Sequence, residues 1–266
     1  MSLLSQGVRT IRRDGFDRAV FLTIRHISYT IGYHDRVSNI PPQVATPAFK
    51  LTAGLIRLVI HLLHKRYPTK YTDADPFKYI YVDPESIEYT TGEIFSKRRG
   101  WVVSGEWDQK GAPYMDRTFA KAIQQHFVEG DNWNETVLTE RYDGPEFEKR
   151  TEKIDDLYNR IQDEGYKSQR QLLAENPDIA WSALNDAMHP LANEIAVDIG
   201  RNGELLWNIC GQHRLAIAKI LDVDRIPVQI FRRHSEWQKI REDASRGNEL
   251  PEQLENHPDL QDILDG

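Results

Sequence analysis

Apolar residues recur every three to five positions at the start of the chain: Leu3, Leu4, Val8, Ile11, Phe16, Val20, Ile24 and Ile27, with Arg9, Arg12, Arg13, Arg18 and Arg25 between them. That spacing predicts an amphipathic helix. Ile40-Pro41-Pro42 and Pro47 mark a break, because the residue before a proline is biased away from helix. A second helix is expected from Phe49 to Leu63, closed by Pro68, and Thr72 to Pro76 reads as linker. Phe77 to Val82 (FKYIYV) and Trp101 to Val103 are rich in β-formers and predict strands. Thr118 to Glu129 has helical spacing, with Thr118 as a cap and Gly130 as a stop. Glu146 to Glu164 carries Ile154, Leu157, Tyr158 and Ile161 as one stripe, followed by Gly165 where a left-handed cap is expected. Ser168 to Glu175 predicts a further short helix.

The last third alternates more regularly. Glu194 to Gly200 (EIAVDIG) predicts a half-buried strand, Asn202-Gly203 a two-residue hairpin turn, and Glu204 to Ile209 the returning strand. Leu215 to Leu221 is an apolar helical run, and Ile226 to Phe231 a closing strand that tolerates Pro227 near its start. Beyond Trp237 the chain is acidic with no evident core, which predicts a surface helix and a loose tail. The fold class expected from these elements is α+β, a mixed sheet flanked by helices. A basic helical arm would occupy residues 1–71, the main domain 72–237 and an acidic tail 238–266.

Composition narrows the class. Hydrophobic residues make up 39% and aromatic residues 10%, too much for a disordered chain. The single Cys210 cannot form an internal disulfide, so a reducing, cytoplasmic setting is the simpler expectation. No stretch near the start has the shape of a signal peptide. The longest apolar run, Leu51 to Leu63, is broken by Arg57 and His61 and looks too short to span a bilayer. Charge is uneven. Residues 1–70 hold eleven Lys/Arg against three Asp/Glu, and the remainder 23 against 38, so +8 and −15 make the net −7. A basic amphipathic arm suits packing on the main domain or a partner chain, or lying on an anionic membrane surface. The −15 of the remainder would repel DNA.

Chemistry concentrates at Gly211-Gln212-His213-Arg214, between the predicted hairpin and the apolar helix. A loop that opens a helix presents unpaired backbone N–H groups and the positive end of the helix dipole, and so attracts anions. Gly211 permits positive φ or close backbone approach, and Arg214 can hold a phosphate through two hydrogen bonds. The plainer alternative makes Gly211 a turn residue and Arg214 a surface ion pair. Glu106 and Asp108 in Gly-Glu-Trp-Asp sit two apart, so on an extended segment both side chains point the same way and suit a metal or a general base. Their alternative is a solvated turn around a core Trp107. Asp83, Glu85 and Glu194 are further acids. His126, His189 and His234 lack metal-ligand spacing, and Asn134-Glu135-Thr136 fits a glycosylation pattern short enough to occur by chance.

The order of segments resembles the ParB/sulfiredoxin superfamily. The opening strand and Pro-x-x-Ile turn match Ile80 to Ile87 with Pro84 and Ile87. The helix and Gly-x-x-Gln loop match Leu157, Ile161 and Gly165 to Gln169, with one extra residue. The hairpin matches Glu194 to Ile209, and the Gly-x-His-Arg loop and Ile-Pro-Val match Gly211 to Arg214 and Ile226-Pro227-Val228. The match runs from Asp156 to Ile230; residues 89–150 would be an insertion, and residues 1–70 lie outside it. Sulfiredoxins carry a catalytic cysteine directly before the His-Arg pair. Gln212 stands there in this chain, so Cys210 reads as a small buried residue. ParB proteins follow the domain with a helix-turn-helix that the acidic remainder does not supply. The resemblance is therefore strongest to the kinase-like branch. It implies a nucleotide (ATP, ADP or CTP) with Mg²⁺, held by Gly165, Ser168, Gln169, Gly211, Gln212, His213 and Arg214. Glu106, Asp108 and His213 would be catalytic, and Glu106 and Asp108 would also hold the metal. The expected function is a phosphotransferase or nucleotide hydrolase acting on a small-molecule or lipid-linked substrate. A ParB-like DNA binder or nuclease, and a non-catalytic membrane-peripheral module, are the alternatives.

Overall fold

The computed structural model describes residues 41–92, 99–182 and 189–264. The helix expected over Leu3 to Ile27 lies outside them. Along the chain run α1 (Pro42–Arg66), β1 (Tyr79–Val82), β2 (Tyr89–Thr90), β3 (Trp101–Val103), α2 (Thr118–Gln124), α3 (Gly144–Glu164), α4 (Gln169–Glu175), α5 (Pro177–Ser182), β4 (Ile195–Ile199), β5 (Leu205–Trp207), α6 (Gln212–Ile220), β6 (Ile226–His234), α7 (Ser235–Ser245) and the short α8 (Glu252–Glu255) and α9 (Gln261–Leu264). The class is α+β. The chain divides into two units, one built on α1 with α4 and α5, the other holding the sheet.

In the first unit, α1 begins at Pro42 and runs through Pro47, where a break was expected. Pro42 is favoured at a first helical position because its missing N–H would have had no partner there. Pro47 removes one backbone bond, to the carbonyl of the exposed Gln43 close to the helix start, so the helix continues. The result has 25 residues and is long and apolar enough to cross a membrane, contrary to the expectation from Leu51 to Leu63 alone. His189 organises this unit. Its ring stacks on Phe49 at 4.6 Å and meets Trp181 edge-on at 5.1 Å, while Nδ1 accepts from the Leu191 N–H.

The second unit is centred on β6. On one side β6 pairs with β1 antiparallel (Val82↔Ile226) and, further along, with β3 parallel (Trp101↔Arg232). On the other side lies β4, parallel (Ile195↔Val228), then β5 antiparallel to β4 and β2 parallel to β5. The Asn202-Gly203 turn joins β4 to β5, with Gly203 at φ 96°. Helices α2, α3 and α6 pack on the sheet through Ile123, Ile154, Leu215 and Ile217, joined by Leu138 from the segment between α2 and α3, against Val197, Val228 and Ile230. The segment expected to be an insertion thus contributes β2, β3 and α2 to this unit.

Two expectations change here. β6 continues past Phe231 to His234, because Arg232 and Arg233 are neutralised inside the protein by Asp198 at 2.7 Å and Asp259 at 2.5 Å. The acidic end is not loose. α7 buries Trp237, and Asp259 and Leu260 are fully buried, with Asp259 bound by Arg233, Arg241 and the Trp237 indole N–H. Arg241 also reaches Asp73 and Asp262. A stretch that looks soluble by composition is held by ion pairs whose basic halves lie in β6 and α7.

Candidate functional site

The β5 strand ends in a tight loop, Asn208-Ile209-Cys210-Gly211, that opens α6. Ile209 has φ 49°, and the Cys210 N–H returns to the Asn208 carbonyl at 2.6 Å. A β-branched residue in the left-handed region is strained, and such strain concentrates where a loop must hold one shape. Gly211 has φ 76°, and a Cβ there would stand 2.7 Å from Cα of Ile195 in β4. The close approach that needs glycine is therefore to the protein's own strand. The hydroxyl of Tyr114 donates to the Gln212 carbonyl and ties the loop to the segment before α2.

At the start of α6 the backbone N–H groups of Gln212 and His213 make no hydrogen bond among the described residues, and Gly211 has no side chain to cap them. The two side chains that follow turn to different places. His213 sits edge-on to Phe119 of α2, with centroids 4.6 Å apart. Its Nε2 is shut off from solvent and has no hydrogen-bond partner among the described residues. Burial holds the imidazole well below its ordinary pKa, at about 4, and the nearby charge of Arg150 adds to the effect. Arg214 instead points inward and pairs with Glu194 at 3.1 Å, both buried. The expected pairing of Arg214 with a ligand phosphate is thus replaced by an internal ion pair. Tyr166, from the loop after α3, adds its field to that pair, and its own hydroxyl is pushed up by burial and has no hydrogen-bond partner among the described residues.

The remaining expected residues divide. Gly165 caps α3 at φ 77°, and Ser168 is buried in the same unit as α6, whereas Gln169 opens α4 in the other unit. Glu106 and Asp108 stand at the far end of β4 from Gly211. Asp108 accepts two parallel hydrogen bonds from Arg201, each 2.8 Å, and a third from the Arg201 backbone at 3.0 Å. Glu106 meets the same guanidinium at 3.3 Å. Burial raises the Asp108 carboxyl, and the Arg201 bonds outweigh it, so its pKa lies below the carboxylate range. The five residues of β4 rise about 3.3 Å each, so the two ends are on the order of 13 Å apart. Hence the structure does not bring Glu106 and Asp108 to the start of α6. Nor do they fit a magnesium site, since both Asp108 oxygens are occupied by Arg201. Among the described residues no three His, Cys, Asp or Glu side chains converge to hold a metal.

Three residues beside the α6 start were not singled out from sequence. Arg141 lies over the rings of Phe119 and Tyr142 at 5.7 and 5.6 Å, Arg150 lies over Tyr142 at 4.2 Å, and Arg117 lies over Trp207 at 4.5 Å. The signal that was available is arginine beside aromatic residues, at Arg117/Phe119 and Arg141-Tyr142. Periodicity along one helix could not show that these segments meet. The fold and site define a mixed α+β protein with a basic, aromatic-lined helix start. The chain matches no family model, no curated protein and no solved structure.

Proposed function

We propose that this chain binds a nucleotide through its phosphates at the start of α6, in a domain of ParB/sulfiredoxin-like arrangement. The observation that carries the reading is the pairing of two unbonded helix-start N–H groups with the buried, partnerless Nε2 of His213. Buried polar atoms in folded proteins are nearly always satisfied, and an oxyanion would satisfy this one along with the N–H groups. The order of elements supports the fold resemblance: β1, the buried Pro84 and Ile87 turn, the β4–β5 hairpin, α6 and β6 follow one another as in that superfamily. Phosphoryl transfer from the bound nucleotide, or its hydrolysis, is the reaction class that fits a phosphate cradle. Its base is a group other than Glu106 or Asp108, which Arg201 engages. DNA remains the weaker ligand, given the −15 balance outside the arm.

The test is thermal unfolding of the full chain with ATP, ADP and CTP, each at millimolar concentration with Mg²⁺. A ligand at one hundred times its Kd stabilises the native state by about 2.7 kcal/mol, enough to raise Tm by several degrees. A rise that His213→Gln removes supports the reading. An unchanged Tm with all three nucleotides ends it.

One observation favours a membrane role for the other unit. Leu51, Leu55, Leu58 and Leu62 follow one another at intervals of four, three and four on α1, each at least 45% exposed. The helix contains no acid and carries Lys50, Arg57, Lys65 and Arg66. Arg57 in mid-helix suits a surface-lying helix better than a spanning one. Co-sedimentation with vesicles containing phosphatidylserine should be lost in Leu55→Glu/Leu58→Glu. Equal sedimentation of the two proteins removes this reading.

A further inference from the structure

We infer that two copies of this chain pair through α1 in water, in antiparallel orientation, with Leu51 of one copy against Leu55 of the other. The inference goes beyond the membrane reading, because it names what covers the same leucines when no lipid is present.

The large apolar residues exposed on α1 are Val44, Leu51, Leu55, Leu58 and Leu62. Val44, Leu51 and Leu58 stand seven residues apart, and Ale48-type spacing is absent: Ala48, Leu55 and Leu62 form the second series with the same period. Steps of four and three in alternation make the seam of a two-stranded coiled coil, in which each side chain enters a hole on the facing helix. At 3.6 residues per turn the five exposed side chains fall within an arc of about 60°. A helix resting on a broad apolar surface presents an arc of about 100° or more, so this narrow seam fits a second helix better. Ala53 and Ile60, by which α1 is buried in its own unit, lie on the opposite side of the helix.

The area is sufficient for a stable contact. Exposures from 45% to 76% leave on the order of 100 Å² open on each of the five side chains, so pairing covers on the order of 1,000 Å² over both copies, where specific interfaces begin. Between Val44 and Leu62 the positions beside the seam are Pro47, Gly54 and His61 on one side and Ala45, Thr52 and Val59 on the other. None is a lysine, an arginine or an acid, and Lys50 and Arg57 fall at outer positions of the repeat. Direction follows from charge and size. A parallel pair sets Lys65, the next seam position, against its counterpart and joins two helix ends that both carry His64, Lys65 and Arg66. Like charges facing one another oppose that arrangement, and α1 holds no acid to offset them. An antiparallel pair sets Lys65 beside Pro41 instead. It opposes Val44 to Leu62 and Ala48 to Leu58, small against large, with Leu51 against Leu55 at the centre. Opposed helix dipoles favour the same arrangement. A two-fold axis closes such a pair, so association stops at two copies.

The experiment is sedimentation velocity of the full chain without lipid, from low to high micromolar concentration. Three proteins are compared: the unaltered chain, Leu55→Glu/Leu58→Glu, and Val128→Glu, which alters an exposed apolar residue of the other unit. Support consists of a species of twice the chain's mass that grows with concentration in the unaltered chain and in Val128→Glu, and a monomer in the double variant. A monomer at every concentration overturns the pair and leaves the leucines to lipid or to the chain's own first forty residues. A dimer that the double variant retains overturns it as well, since another face then holds the copies together. Direction is read by mild oxidation of a mixture of Leu51→Cys and Leu55→Cys chains, one of them tagged; the native Cys210 is buried. Disulfides joining the two different chains should predominate, and products joining like chains in their place overturn the antiparallel register. The membrane reading is judged separately. A dimer that fails to sediment with vesicles removes that reading and keeps the pair, and a monomer that sediments does the reverse. A far-ultraviolet circular dichroism spectrum and a melt for each variant show that the comparison is between folded proteins.

Discussion

His213 holds its imidazole edge-on to the ring of Phe119, with centroids 4.6 Å apart, and buries Nε2 without a partner. The ring is neutral in the folded chain, with its pKa lowered to about 4 from an ordinary 6.5. His189 is held at about 4 in the other unit, chiefly by burial. In the unfolded chain both rings take up a proton as pH falls through 6.5, whereas in the folded chain they do so only near 4. The unfolded state therefore binds more protons between those values, and stability must rise with pH across that window. For His213 alone the loss on going from pH 7.5 to pH 5 is about 2 kcal/mol. Denaturant titrations at the two pH values should show this loss, reduced in His213→Gln. A flat profile from pH 7.5 to 5 would contradict the buried neutral ring.

Gly211→Ala tests the loop itself. The substitution places a Cβ 2.7 Å from Cα of Ile195 and asks alanine to adopt φ 76°. Strain of this kind costs about 1 to 3 kcal/mol before any clash is counted. A fall in the denaturation midpoint of at least that size is expected. An unshifted midpoint would mean that the β4–α6 contact is not as close as described.

The α6 start was legible in sequence because all its parts are local: a hairpin signal at Asn202-Gly203, a glycine, and an apolar helical run. Every strand but β2, and helices α2, α3, α4 and α6, were legible for the same reason, since a period of two or 3.6 is written along one segment. What sequence could not show was which side chain each charge would meet. Arg214 looked like a ligand to phosphate, yet it pairs with Glu194 twenty residues earlier. Asp108 looked like a metal ligand, yet it is clasped by Arg201, ninety-three residues away. The Arg141, Arg150 and Phe119 cluster joins three segments that share no periodicity. Arg232 and Arg233 read as the end of a strand because their acidic partners are distant in sequence.

Asp108→Asn separates a structural role from a chemical one. Asp108 is 3% exposed in its side chain and accepts three hydrogen bonds from Arg201, which fixes the turn between β4 and β5 against the Gly105–Gln109 segment. Asparagine keeps the size but removes the charge and one acceptor pair. Loss of a charge-assisted bond of this type lowers stability by about 1.5 to 3 kcal/mol. Nucleotide binding at the α6 start should persist, because the substitution lies at the other end of β4. A variant that melts like the unaltered chain yet no longer binds or turns over nucleotide would return Asp108 to the active chemistry.

Asp259→Asn reports on the acidic end of the chain. The carboxylate is fully buried and accepts from Arg233, Arg241 and the Trp237 indole. Burial opposes its charge, and the two arginines overcome that penalty and hold its pKa far below the carboxylate range. A group depressed in this way stabilises the fold at neutral pH and gives up that contribution as pH falls toward the folded pKa. Removing the charge leaves Arg233 and Arg241, both nearly inaccessible, short of their shared partner. Breaking a buried pair from one side costs about 3 to 5 kcal/mol. Asp243→Asn, on an exposed side chain of α7, should cost far less, since surface pairs contribute at most about 1 kcal/mol. Melting both variants at pH 7 decides the point. Similar small effects would mean that the end of the chain is only loosely attached and that β6 carries its arginines without it.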